Sequence, residues 1–123
     1  MEELTQHEER IMRIFWRNER ALIRDVLAEL PEPKPPYTTL ASSIKLLERK
    51  GFLGHKPYGT THEYFPLITQ GEYSKKSISR MVNHFFEGSV GNLLSFMVKE
   101  KDLSKKEIEE IQKLIDTYES SKK

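Results

Sequence analysis

Apolar positions recur along this chain in two rhythms, and the change of rhythm divides it. Ile11, Met12, Ile14, Phe15 and Trp16 fall close together, the pattern of a helix buried over a wide arc. Thr5-Gln6-His7-Glu8 stands before them as a capping box. After a turn about Asn18-Glu19-Arg20, the residues Leu22, Ile23, Val26, Leu27 and Leu30 form a second, shorter amphipathic helix, stopped by Pro31. A stiff connector follows, with Pro31, Pro33, Pro35 and Pro36 close together. It leads into a third helix in which Leu40, Ile44 and Leu47 recur at i, i+4, i+7. Arg49 and Lys50 put positive charge in its last turn, and Gly51 stops it.

Beyond Gly51 the period shortens. Residues 52–56 and 62–67 read as two short strands, and residues 57–61 (Pro57-Tyr58-Gly59-Thr60-Thr61) supply the Gly and Pro that a hairpin turn needs. The helical rhythm then returns. Thr69-Gln70-Gly71-Glu72 opens a fourth helix carrying Tyr73, Ile78, Met81, Val82, Phe85 and Phe86, and Gly88 and Gly91 interrupt it. Val90, Leu93, Leu94, Phe96, Met97 and Val98 form a short apolar fifth helix. Ser104-Lys105-Lys106-Glu107 is a second capping box, after which Ile108, Ile111, Ile115 and Tyr118 keep heptad spacing, with Leu114 alongside.

Three helices followed by a hairpin define a winged helix-turn-helix over residues 1–68; residues 69–123 form a C-terminal helical region. The expected fold is mostly α with one small β-hairpin. The last three helices lack the length for a core of their own, so a second copy is expected to cover them. The expected dimer surface is Phe85, Phe86, Leu93, Leu94, Met97, Ile108, Ile111, Ile115 and Tyr118; the alternative is that these helices fold back on the first domain.

On a helical wheel of about 100° per residue, Thr38, Ser42, Lys45 and Arg49 lie opposite Leu40. Short hydroxyls approach base edges and cations pair with phosphates. In a winged helix the third helix enters the major groove. Thr38, Thr39, Ser42 and Lys45 are therefore expected in the groove, with Arg49 and Lys56 on phosphates. Tyr58 and Thr60 sit at the wing tip, although Tyr58 is equally readable as a packed aromatic.

Charge sharpens this reading. The formal net charge of +1 is uninformative, but its distribution is not. Residues 1–32 carry five Arg against eight acidic side chains, while residues 33–62 carry Lys34, Lys45, Arg49, Lys50 and Lys56 against Glu48 alone. A local basic patch on a near-neutral chain suits a polyanion. With no cysteine, disulfides, thiolate metal sites and cysteine catalysis are excluded. No apolar run approaches the length of a membrane span and no signal segment opens the chain, so a cytoplasmic protein without membrane insertion is expected.

His7, His55, His62 and His84 show no metal-ligand spacing, although His55 and His62 can face each other across the hairpin. There is no phosphate loop, nucleophile elbow or His-Glu-x-x-His motif. Ser42-Ser43 near Lys45 echoes a Ser–Lys nucleophile only weakly. No catalytic residue, cofactor or metal is expected. The competing reading is a winged helix that serves as a protein-interaction or dimerisation module without specific DNA binding.

Over nearly its whole length the chain resembles the penicillinase and methicillin-resistance repressor family, the BlaI/MecI type. Leu4-Thr5 with Glu8, Ile11-Met12, Phe15-Trp16, Val26 and Leu30 carry the resemblance in the first two helices. Tyr37-Thr38-Thr39, Leu47, Lys50-Gly51-Phe52-Leu53, Tyr64 and Pro66-Leu67 carry it through the third helix and wing. Gly88-Ser89, Leu93, Leu103-Ser104 and Glu107-Ile108 complete it. The resemblance implies a homodimeric winged-helix repressor on a double-stranded dyad operator, controlling β-lactamase or related stress-response genes in antibiotic resistance. It also implies relief by proteolysis through a membrane sensor metalloprotease, with Ser95 and Phe96 at the candidate cleavage point. Ser95 stands where staphylococcal members have Asn. Those members also carry more basic side chains on the third helix, where this chain has Ser42 and Leu46. The copper-responsive branch uses C-terminal cysteines, which this chain lacks.

Overall fold

The computed structural model describes residues 3–121, without the side chains of Tyr118, Ser120 and Ser121. In chain order the elements are α1 (Gln6–Asn18), β1 (Ala21–Leu22), α2 (Ile23–Glu29), α3 (Tyr37–Arg49), β2 (Leu53–Tyr58), β3 (Thr61–Pro66), α4 (Gln70–Phe85), α5 (Val90–Lys99) and α6 (Lys105–Ser121). The chain packs as two compact units, residues 1–77 and 78–123, with the boundary inside α4. The fold is mostly helical with a small antiparallel sheet, as the hydrophobic pattern predicts.

In the first unit the core gathers one face of each helix. Ile11, Met12 and Phe15 from α1, Val26 from α2, and Leu40, Ile44 and Leu47 from α3 are fully enclosed with Phe52 and Leu53. Tyr73 of α4 closes this core, its phenol oxygen accepting from the Leu4 amide at 2.9 Å. The Trp16 indole donates to the Ile68 carbonyl at 2.8 Å, tying α1 to the chain beyond β3.

Each helix end has a local cause. At α1 both halves of the capping box form, Thr5 Oγ1 accepting from the Glu8 amide and Glu8 Oε1 from the Thr5 amide. Pro36 opens α3, and a Schellman motif closes it. The Phe52 amide bonds the Leu47 carbonyl and the Gly51 amide the Glu48 carbonyl, each at 3.0 Å, while Gly51 takes φ +89°. Phe52 and Leu47, the two ends of the motif's apolar contact, are both fully buried.

The structure corrects three local expectations. Helix α2 begins at Ile23, because Leu22 and Ala21 form a short strand that pairs with β3 at Glu63 and Tyr64. Two residues are too few for a periodicity to register. The hairpin turn is also tighter than expected: β2 runs to Tyr58 and β3 starts at Thr61, leaving Gly59-Thr60 as the loop. Gly59 has φ +63°, the conformation that the first position of a two-residue hairpin turn requires. Pro57 consequently lies inside β2, which is tolerated because the strand order β1-β3-β2 makes β2 an edge. Lastly, Gly91 lies within α5; the break between α4 and α5 falls at Glu87 and Gly88, both at positive φ.

In the second unit, Ser89 caps α5 by accepting from the Asn92 amide at 3.0 Å. Ser104 caps α6 by accepting from the Glu107 amide at 3.1 Å. Val82 is buried, but no α5 side chain is. Phe85 is 71% exposed and Leu114 70% exposed. Among the described residues no helix is long and apolar enough to cross a membrane.

Glu8 is the buried charged side chain of the described core. Burial pushes its pKa up, but hydrogen bonds from Lys50 Nζ at 2.8 Å and from Thr5 outweigh this and hold the carboxyl below its ordinary value. A lowered folded-state pKa contributes stability above the unfolded value, and that stability is lost as pH falls through the folded value. Denaturant unfolding should show this loss below about pH 5, and Glu8→Gln should flatten it. Lys50→Met leaves the carboxylate without its cation and should cost about 3 kcal/mol at neutral pH. A Lys50→Met variant as stable as the parent chain would show that the pair does not hold α3 to α1.

Candidate nucleic-acid interface

The core fixes the orientation of α3. With Leu40, Ile44 and Leu47 fully buried, Thr38, Ser42, Lys45 and Arg49 are turned outward, and all four are exposed, as is Thr39. The structure therefore brings these sequence-predicted residues onto one accessible face. Lys56, Tyr58 and Thr60 are exposed on the wing, Tyr58 at 55%. Tyr58 is thus not a packed aromatic.

The hydroxyls on α3 are not all free donors. Ser42 Oγ donates to the Thr38 carbonyl one turn back at 3.0 Å, leaving its lone pairs as acceptors. Ser43 Oγ lies 3.1 Å from His7 Nε2. Thr38 and Thr39 are exposed at the start of the helix, where the backbone amides also lack intrahelical partners.

The basic patch is smaller than the sequence count suggests. Lys34 Nζ donates to the carbonyls of Leu27, Ala28 and Leu30 at 2.7–2.9 Å and so caps the C-terminus of α2. Lys50 faces Glu8 across the core edge. Lys56 lies 3.4 Å from Glu63 on the neighbouring strand. Lys45 and Arg49 remain as exposed cations of α3.

The wing is joined to α3 through His55, whose Nδ1 bonds the Glu48 carboxylate. The His55 and His62 rings meet edge to face at 4.5 Å, so the pair expected across the hairpin is present. Tyr64 lies beneath them. Burial raises the Tyr64 pKa, and Glu48 and then Tyr37 add to the shift, which keeps the phenol neutral. Among the described residues no group of three His, Cys, Asp or Glu side chains is arranged to hold a metal ion.

Two participants escape the sequence pattern. Glu63 lies beside Lys56 because the two are cross-strand partners. That relation is readable only once the two-residue turn sets the register. Leu46 is 40% exposed on α3 although it is aliphatic. Its wheel position, off the Leu40–Ile44–Leu47 stripe, was the available signal.

The expected dimer residues lie on three helices. Phe85 of α4 and Ile108 and Ile115 of α6 are exposed, while Leu93, Leu94 and Met97 of α5, Ile111 of α6, and Phe86 just beyond α4 are half-buried. The Tyr118 side chain lies outside the described residues. The Phe86 and Phe96 rings stand 5.7 Å apart. Ser95 and Phe96 are both exposed on α5.

A winged helix that turns an exposed polar face of its third helix outward is the arrangement that helix-turn-helix transcriptional regulators share. Residues 4–117 match the family model described as Penicillinase repressor, and the chain belongs to that family of repressors. The methicillin resistance regulatory protein MecI of Staphylococcus aureus (strain N315) is 25% identical over 114 residues, 92% of this chain and 93% of that protein. The penicillinase repressor of Bacillus licheniformis is 25% identical over 126 residues, 98% of this chain and 95% of that protein.

Proposed function

We propose that this protein represses transcription as a homodimer, each protomer placing α3 in the major groove of one half of a dyad operator. The observation that carries the reading is the outward face of α3, held polar and accessible by full burial of the opposite face, in a chain of the repressor family. Thr38, Thr39, Ser42 and Lys45 read the groove, and Arg49 and Lys56 meet phosphates. Tyr58 and Thr60 touch the backbone from the wing.

Residues 69–123 supply the dimer contact in this reading, through Phe85, Phe86, Leu93, Leu94, Met97, Ile108, Ile111, Ile115 and Tyr118. Exposed apolar side chains support it, since each Leu or Ile that loses its water contributes roughly 1.5–3 kcal/mol. Such gains offset the loss of translational and rotational freedom on association. A dimer also spaces two recognition helices by about one turn of DNA. The regulated genes are those of β-lactamase or a related stress response, as the names of the relatives suggest. Induction cuts the chain at Ser95–Phe96, through a membrane sensor metalloprotease. Severing α5 removes α6 from the interface, and the DNA-binding units lose the advantage of being linked.

A Thr38→Ala/Ser42→Ala/Lys45→Ala variant should keep its fold and lose operator binding; unchanged affinity rules this face out. Arg49→Ala should weaken all duplexes alike and lower the salt slope by about 0.9 for each phosphate no longer neutralised. A protein that binds no duplex at low salt would favour the interaction-module reading. Sedimentation should give a dimer at micromolar concentration, and Phe85→Asp/Ile115→Asp should give a folded monomer. A monomeric parent chain overturns the assembly. Mass spectrometry of protein from induced cells should find a fragment ending at Ser95; intact protein released from its operator points instead to a ligand-driven switch.

A further inference from the structure

We infer that Leu46 is a specificity-determining residue that reads the C5-methyl group of thymine from the recognition face of α3. The inference rests on the DNA-reading role proposed for that face and adds the base chemistry it selects.

The core does not require Leu46. Leu40, Ile44 and Leu47 already fill the buried side of α3, each at 0% exposure, while Leu46 is 40% exposed. Helical spacing sets Ser42 and Ser43 beside it one turn back, Thr39 two turns back and Arg49 one turn ahead. The two nearest hydroxyls already have partners within the protein. Ser42 Oγ donates to the Thr38 carbonyl, and Ser43 Oγ meets His7. An isobutyl group therefore stands on this face with its closest polar neighbours drawn back toward their own helix and α1.

A phosphate gains nothing from that group, because covering it with a leucine removes water from the charge without replacing a hydrogen bond. The donors and acceptors of a base edge are no better served. The major groove offers one apolar feature, the thymine methyl. Arg49, one turn ahead, remains an exposed cation able to hold the backbone while the methyl is covered, and the exposed Lys45 enters the groove beside it. Leu46 thus favours a T at one position of each half-site over C, which presents no methyl there.

The probe is the duplex enriched from a random-sequence library by the full-length protein, with each dT replaced singly by deoxyuridine. That change removes the methyl and nothing else. At one thymine per half-site the replacement should weaken binding about fourfold, the worth of one buried methyl-sized group. The Leu46→Ala protein should bind the dT and dU duplexes equally. An enriched duplex indifferent to every replacement overturns this inference while leaving the DNA-reading role intact. Sensitivity that persists in Leu46→Ala does the same. A Leu46→Ala variant whose free protein sediments differently from the parent overturns it as well, because Leu46 then packs against a second copy. A library that yields no enriched duplex overturns the inference together with the proposed function.

Discussion

The orientation of α3 is the constraint on which the first unit depends. Three aliphatic side chains one turn apart enter a core built by α1, α2 and the base of the wing. Burying them fixes which way the helix is rolled, and everything on the outer side follows from that roll. The Schellman closure at Gly51 fixes the depth at which the helix ends, since Phe52 and Leu47 seal the same core from the two sides of the turn. The Lys50–Glu8 pair then pins that end to the start of α1. A shift of one residue along α3 would rotate the face by about 100° and turn either Thr39 and Ser43 or Lys45 and Glu48 into the core in place of aliphatic side chains.

Much of this was legible in the sequence because it depends on strong local signals. Capping boxes, the proline connector, the glycine after Lys50 and the i, i+4, i+7 stripe each have one simple reading, and they agree. The hairpin was less legible. Pro57 and Tyr58 carry turn-like composition, yet they are paired residues, and the turn is set by the backbone of Gly59. A turn drawn too long leaves the register open, which hides the pairing of Lys56 with Glu63. Strand β1 was not legible, because its pairing with β3 is a long-range event with no local pattern.

Charge was the least legible property. A count along the chain treats every lysine alike, but the structure gives three of them partners within the protein. Lys34 holds the end of α2, Lys50 neutralises a buried carboxylate, and Lys56 answers a carboxylate on the next strand. Lys45 and Arg49 of α3 therefore make up a larger part of the outward positive field than a count of five basic residues implies.

The position of Pro57 has a consequence for how these molecules behave when crowded. Strand β2 is the outer edge of the sheet, and an outer edge is a template onto which another chain can add a strand. A proline within it removes a backbone donor and interrupts the row that such an addition would need. Two copies brought close together therefore do not zip wing to wing into an open-ended sheet. The proline thus guards solubility at an exposed strand of the first unit.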